Sequence, residues 1–384
     1  MEVKRQTLGF VFCMYNEILD MVSSSKENPY SSLPNSAFWK TAVAAENPYE
    51  MQNIYKRKFQ ITKDTKIATA GSCFAQHITR HLLSRDFSVL DVEPAPPDLP
   101  KILHKKYGFS TYSARYGNIY TVKQLLQLAQ EASGSKSISD YVLTKGNRYY
   151  DGLRPSIEPD GFGSEREVIQ ARKIHIQRVK ELFKSMDLFI FTLGLTEMWC
   201  SKEFSTVFPA CPGTIVGEFD PAKFVFKNAQ YQDIIVDFND FQKEVRTIRD
   251  GRPFKILLTV SPVPLTASAS GHHALVATTY SKSVLRAVAG QLSTNQAHID
   301  YFPSFELATN PRLHSTSFAQ NLRTIRSEAV ENVMRHFFNA HLMKGEGQLL
   351  KALSPQGGKR EIGTDLVDDT LVQCEEQLLE AFGN

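Results

Sequence analysis

Apolar residues in this chain gather into two kinds of run. Residues 66–70, 88–92, 188–193, 255–261 and 299–302 are short, nearly continuous apolar stretches, the mark of strands buried on both faces. Between them the spacing changes to that of amphipathic helices, over about 74–84, 122–132, 165–184, 238–248, 274–292 and 327–338. Within the first of these, Phe74, Ile78 and Leu82 recur at helical spacing. Strands that alternate with helices pair in parallel through right-handed crossovers. The pattern therefore predicts an α/β protein with a doubly wound parallel sheet, with the strand at 66–70 near its middle.

Three regions break the alternation. Residues 24–60 are rich in Pro, Asn, Ser and Tyr, with Asn28-Pro29-Tyr30, Leu33-Pro34 and Asn47-Pro48-Tyr49 around Trp39. They read as part of an N-terminal segment, 1–60, that wraps the α/β domain at 61–341. Within that domain, residues 204–235 are punctuated by Pro209, Pro212, Gly213 and Gly217, and read as a β-rich insertion, a hairpin or lid. After residue 341 come Gly345, Gly347, Pro355 and Gly357-Gly358, then an amphipathic pattern over 366–382. The expectation for 342–384 is a linker followed by a docking helix.

Composition narrows the functional classes. The 44 basic and 41 acidic residues leave a net charge of +3, so no basic field points to nucleic acid or an anionic membrane. Cys13, Cys73, Cys200, Cys211 and Cys374 are spaced as neither a disulfide framework nor a zinc site, which suggests a reducing compartment. The apolar stretch from Leu8 to Tyr15 is short and lacks a small-residue cleavage site, so it reads as local structure rather than a signal peptide. No run approaches the roughly 20 apolar residues of a membrane span. A soluble cytoplasmic protein is expected, with neither membrane nor nucleic acid as partner. The sequence does not set its oligomeric state.

The candidate chemistry lies where the first strand runs into the first helix, at Gly71-Ser72-Cys73. Ligands of a doubly wound sheet bind beyond the carboxyl ends of its strands. A nucleophile there would face the unpaired N–H groups of a helix start, which stabilise an anion and favour a thiolate. The plainer alternative is a glycine turn with Ser72 as a helix cap.

Gly71-Ser72-Cys73-Phe74-Ala75 resembles the signature of the GSCFA family. Further motifs follow in order: Ser113-Ala114-Arg115-Tyr116-Gly117-Asn118-Ile119-Tyr120-Thr121, Arg154-Pro155, Thr192-Leu193-Gly194-Leu195-Thr196-Glu197-Met198-Trp199, Ser261-Pro262-Val263-Pro264, Ser281-Lys282-Ser283-Val284-Leu285-Arg286 and Tyr301-Phe302-Pro303-Ser304. That family in turn resembles the SGNH hydrolases. The resemblance implies a flavodoxin-like three-layer fold and acyl-transfer chemistry, that of an esterase or O-acyltransferase needing no cofactor. It also suggests a carbohydrate ester or similar small polar ester as substrate. In a gapless register Cys73 stands at the nucleophile and is preferred, since a cysteine depends less on a base, while a shift of one residue places Ser72 there. Thr196 and Glu197 then stand at the Gly-x-Asn-Asp block, Thr196 as an oxyanion donor and Glu197 orienting the site. Gly117 and Asn118 are further oxyanion candidates, although Gly-Asn is also ordinary turn chemistry. Arg154, Trp199 and Lys282, inside shared motifs, are expected to contact substrate, and Arg286 shares a helix face with Lys282.

The resemblance breaks at the Asp-x-x-His block, where this chain has Asn321-Leu322-Arg323-Thr324. His272 and His273, in the loop after the 255–261 strand, are the foremost substitutes for the missing base. His77, one helical turn from Cys73, and His314 are others. A non-catalytic binding protein that has lost the block is the rival expectation. A metal enzyme is disfavoured, since no His/Asp/Glu cluster has ligand spacing.

Overall fold

A computed structural model describes residues 28–341 and 375–383. Along the chain come β1 (Ile67–Gly71), α1 (Cys73–Leu83), the single turn α2 (Lys101–His104), α3 (Val122–Ser133), β2 (Val142–Lys145), β3 (Arg148–Asp151) and α4 (Glu165–Ser185). These are followed by β4 (Leu188–Leu193), β5 (Glu197–Ser201), β6 (Val207–Phe208), β7 (Phe224–Asn228), α5 (Tyr231–Ile248) and β8 (Lys255–Val260). The last elements are α6 (Ala274–Asn295), β9 (Ile299–Tyr301), the short helices α7 (Ser304–Ala308) and α8 (His314–Ser317), and α9 (Ser327–His341). Glu375–Phe382 forms a 3-10 helix. The apolar stretch from Leu8 to Tyr15, the linker and the start of the tail helix pattern lie outside the described residues.

The central sheet has the order β1-β4-β8-β9 and all its pairs are parallel. Every residue of β1 and β4 is buried, as continuous apolar runs require when helices cover both faces. This is the α/β doubly wound class the alternation implied. The strand expected at 88–92 is reduced to one bridge, Val89 against Ile67, framed by bonds from Ile67 N to Ser88 O and from Leu90 N to Ile67 O. Beyond it the backbone turns away, and Val92 N donates to Ser113 O instead. β1 is therefore the outer strand of the four rather than a middle one, with residues 88–90 along its free edge. The chain winds outward from β1 in both directions, so the topological switch point lies between the carboxyl ends of β1 and β4.

The core is aromatic. Phe189 and Phe191 of β4 stack at 5.9 Å, and Phe183 of α4 and Phe241 of α5 close on Phe189. α5 begins at Tyr231, earlier than the pattern suggested. Gln230 and Asp233 form a reciprocal capping box, and Ile234 and Ile235 extend the buried face. Part of the expected insertion, β6 and β7, flanks β5 in an antiparallel sheet of order β6-β5-β7. This sheet packs with the β2–β3 hairpin, an element the pattern did not reveal, through Tyr141, Leu153, Phe208 and Phe224. No helix among the described residues is long and apolar enough to cross a membrane.

Residues 1–54 and 55–384 cluster as two compact units. In the first, the described residues form turns, a 3-10 turn at Asn35–Ala37 and a π-helical turn at Lys40–Ala44, with Tyr30 and Trp39 exposed. The second opens by covering β9. The Tyr55 hydroxyl donates to Asp300 Oδ2 at 2.9 Å, Lys58 N donates to the same oxygen at 2.8 Å, and Lys58 Nζ donates to Ile299 O at 2.9 Å.

Candidate active site

Gly71 ends β1 with φ +143°, and a Cβ there would lie 2.6 Å from Thr192 O, so the close approach of β1 to β4 demands glycine. Ser72 follows at the N-cap of α1, but its hydroxyl makes no capping bond. It packs instead against β4, with its N–H donating to Thr192 O at 3.3 Å. Ser72 Oγ, Thr192 Oγ1 and Thr196 Oγ1 are all buried and have no hydrogen-bond partner. Each such hydroxyl costs about 1–3 kcal/mol, so three beside the switch point mark a place not optimised for packing alone.

Two other segments close on this turn. Ile119 N donates to Gly71 O at 2.9 Å, and the Tyr112 hydroxyl lies 2.9 Å from Ser72 O and 2.5 Å from Asn118 Oδ1. Gln76 Nε2 donates to the same Asn118 oxygen at 3.1 Å, which fixes the amide beside the start of α1. Gly117, with φ +70°, makes the turn before it. On the far side, Gly194 N and Leu195 N both donate to Tyr120 O at 3.1 and 2.9 Å, so neither N–H is available to an oxyanion. The Gly194–Thr196 turn is held from α6. Thr196 N donates to Ser281 Oγ at 3.1 Å and Lys282 Nζ donates to Gly194 O at 2.7 Å. Ser72, Asn118, Thr196 and Lys282 thus belong to four chain segments tied together by hydrogen bonds.

Other residues singled out in the sequence have partners of their own. The Glu197 carboxylate accepts from Ser268 Oγ at 2.6 Å and from Ala269 N at 3.4 Å, fixing the loop that leads to α6. His272 and His273 are exposed, and His273 Nδ1 accepts from Leu275 N as the N-cap of α6. His77 lies 3.1 Å through Nδ1 from Arg80 NH2, and burial, reinforced by the charges of Arg80 and His81, drops its pKa to about 3. That ring is a neutral imidazole, not the imidazolium of a thiolate pair. His314 is exposed at the start of α8. Trp199 packs edge-on against Phe219 and Phe226 within the antiparallel sheet, and Arg286 pairs with Glu306 over the Tyr301 ring. At the missing block, Asn321 Oδ1 accepts from Arg323 N and Thr324 N, and Asn321 Nδ2 donates to Thr324 Oγ1, which makes it a self-satisfied turn. Arg323 is buried there, its Nε donating to Pro264 O at 3.2 Å.

Arg154 is part of a buried charge network. Its Nε donates to Asp151 Oδ2 at 2.7 Å; Arg172 donates to Asp151 and Glu131, and His175 Nδ1 lies 2.7 Å from Glu93 Oε2. Burial alone would raise both acids, but Arg172 and Arg154 hold Asp151 down at about 2, and His175 and Arg154 do the same for Glu93. Burial, then Arg154, lowers His175 to about 4. Arg154, Arg172, His175 and Asn118 line a cavity of about 30 Å³. The sequence reading missed this network because each member is an ordinary charge at loop or helix spacing. It missed Ser281 too, although that residue stands beside Lys282 in a quoted motif. No grouping of three or more His, Cys, Asp or Glu suited to a metal occurs among the described residues.

These observations define an α/β protein with a parallel sheet and a buried polar cluster at its switch point. The chain belongs to the GSCFA family, whose model matches residues 66–337. Neither the curated proteins nor the solved structures contain a match.

Proposed function

We propose that the chain is an SGNH-type acyl-transfer enzyme, an esterase or O-acyltransferase acting in the cytoplasm on an acylated carbohydrate or similar small polar ester. Ser72 is its nucleophile. The observation that carries this reading is the Ser72 hydroxyl, 2% exposed by residue, unpartnered, and set at the N-terminus of an eleven-residue helix. An oxygen there meets the α1 N–H groups, and Asn118 and Thr196 supply the other polar contacts to an oxyanion. The reaction needs no cofactor. Attack by Ser72 Oγ on the acyl carbon gives a tetrahedral intermediate, and collapse releases the alcohol and leaves an acyl-serine. Water or an acceptor hydroxyl then takes the acyl group.

The rival reading, a ligand-binding protein without turnover, is favoured by one observation. The Asn321 to Thr324 turn satisfies itself and carries neither acid nor base. Turnover of p-nitrophenyl acetate decides between them. Ser72→Ala should abolish phenol release and Cys73→Ala should retain it. The reverse result moves the nucleophile to Cys73, and no release from the unmutated chain on a panel of esters leaves the binding reading.

A further inference from the structure

The acyl-transfer reading leaves a gap, since a serine hydroxyl is a weak nucleophile without a base. Nine of the ten histidines are exposed or engaged elsewhere. His272, His273 and His314 are exposed, the His77 ring faces Arg80, and His175 is tied to Glu93. His341 sits by Tyr55 and Ile61, His298 by Gln242, His81 by Glu331, and His104 by Leu99.

A different basic side chain enters the site. Lys282 is 4% exposed, and its Nζ reaches Gly194 O at 2.7 Å. Gly194 is the residue against which Ser72 packs. A Cβ on Gly194 would lie 2.9 Å from Ser72 Cβ. The ammonium and the orphan hydroxyl therefore close on one residue from opposite elements, α6 and the β1–α1 turn. Ser281, next to Lys282, anchors Thr196 N at 3.1 Å, so two consecutive α6 residues hold the 194–196 turn.

We propose that Lys282 is the general base for Ser72, in place of the missing Asp-x-x-His pair. This rests on the acyl-transfer reading above. As a neutral amine, Nζ takes the Ser72 proton while Oγ forms its bond to the acyl carbon. The resulting ammonium gives that proton to the leaving alkoxide as the ester C–O bond breaks. In the second half, water or the acceptor hydroxyl loses its proton to Nζ as it attacks the acyl-serine, and the proton returns to Ser72 Oγ on release. Lysine suits the task because it has a flexible stem and titrates readily when withdrawn from water.

The test uses a fluorophosphonate probe, which phosphonylates an activated serine with loss of fluoride, followed on the full chain with the labelled peptide identified by mass spectrometry. Labelling at Ser72 should quicken with pH through a single ionisation in the unmutated chain. Lys282→Arg, which keeps the charge and the bond to Gly194 but cannot act as a base, should slow it at least about 100-fold. Lys282→Ala should be slowed likewise and rescued by methylamine and ethylamine, with rates that rise with amine basicity. A purely structural lysine gives no such dependence. If Ser72 labels in the unmutated chain while Lys282→Arg keeps its rate and pH profile, the base assignment is wrong and the acyl-transfer reading stands. Slow labelling of Lys282→Ala that no amine restores also overturns it. If the unmutated chain does not label at Ser72, the nucleophile reading fails and takes this assignment with it. Should either variant not fold, the unmutated chain decides: a labelling rate flat in pH overturns the base.

Discussion

Ser72 and Gly194 are in contact across the switch point, with no room for a side chain on the glycine. A Cβ at residue 194 would meet Ser72 Cβ at 2.9 Å and Tyr120 O at 3.0 Å. Gly194→Ala must therefore move either the Ser72 side chain or the 120 backbone. The expected outcome is a loss of about 1–3 kcal/mol in chemical denaturation, together with at least a tenfold loss of Ser72 labelling. Unchanged stability and labelling would show the two residues to be looser neighbours than described.

The buried charges behind Asn118 give a second expectation. Asp151 accepts from both Arg154 and Arg172, and all three are buried. Asp151→Asn keeps the shape but leaves two guanidinium groups facing an amide, a loss of about 3–5 kcal/mol. Asp151→Asn combined with Arg172→Met should cost less than the sum of the single changes, because the second change removes one stranded charge. Strict additivity in urea titrations would sink the idea of a shared network.

Acid should weaken the fold. His77 and His341 titrate at about 3 and His175 at about 4, each depressed first by burial from the ordinary 6.5. Between those values the unfolded chain binds protons that the folded chain does not, so stability rises with pH. It is fully present above about pH 6.5 and declines as pH falls toward 4, by up to about 1.4 kcal/mol per pH unit for each histidine. Glu93 and Asp151, both held at about 2, add a further loss below the usual carboxylate range. Urea midpoints at pH 7.5 and pH 5 test this, and His175→Gln should flatten the slope by one proton. Equal midpoints for the unmutated chain would contradict it.

Much of the fold was legible because burial on both faces writes itself as unbroken apolar runs. β1, β4 and β8 are such runs, and Gly71 was readable as a tight turn from its position alone. The apolar run at 88–92 is longer than the strand it makes, since such a run does not say where hydrogen bonding stops, and Val92 bonds to Ser113 instead. The β2–β3 hairpin was missed because Lys145 to Arg148 is polar and its strands are only partly buried. At the site, the motifs marked segments that hydrogen bonds bring together, but not the partners of each side chain. Glu197 carries a carboxylate at a suggestive place, yet its partners, Ser268 and Ala269, lie 71 and 72 residues on. Lys282 looked like one of two cations on a helix face. Only its bond to the Gly194 carbonyl separates it, buried, from Arg286, paired at the surface with Glu306.

The arm at Tyr55 and Lys58 bears on how the protein behaves in concentrated solution. β9 is an outer strand, and outer strands offer bare carbonyl and amide groups to any neighbouring chain. Lys58 Nζ occupies the Ile299 carbonyl, and Lys58 N and the Tyr55 hydroxyl occupy the Asp300 carboxylate of that strand. The arm therefore acts as a built-in guard against strand-to-strand aggregation. A chain trimmed back to residue 61 would keep its whole parallel sheet and still be expected to clump.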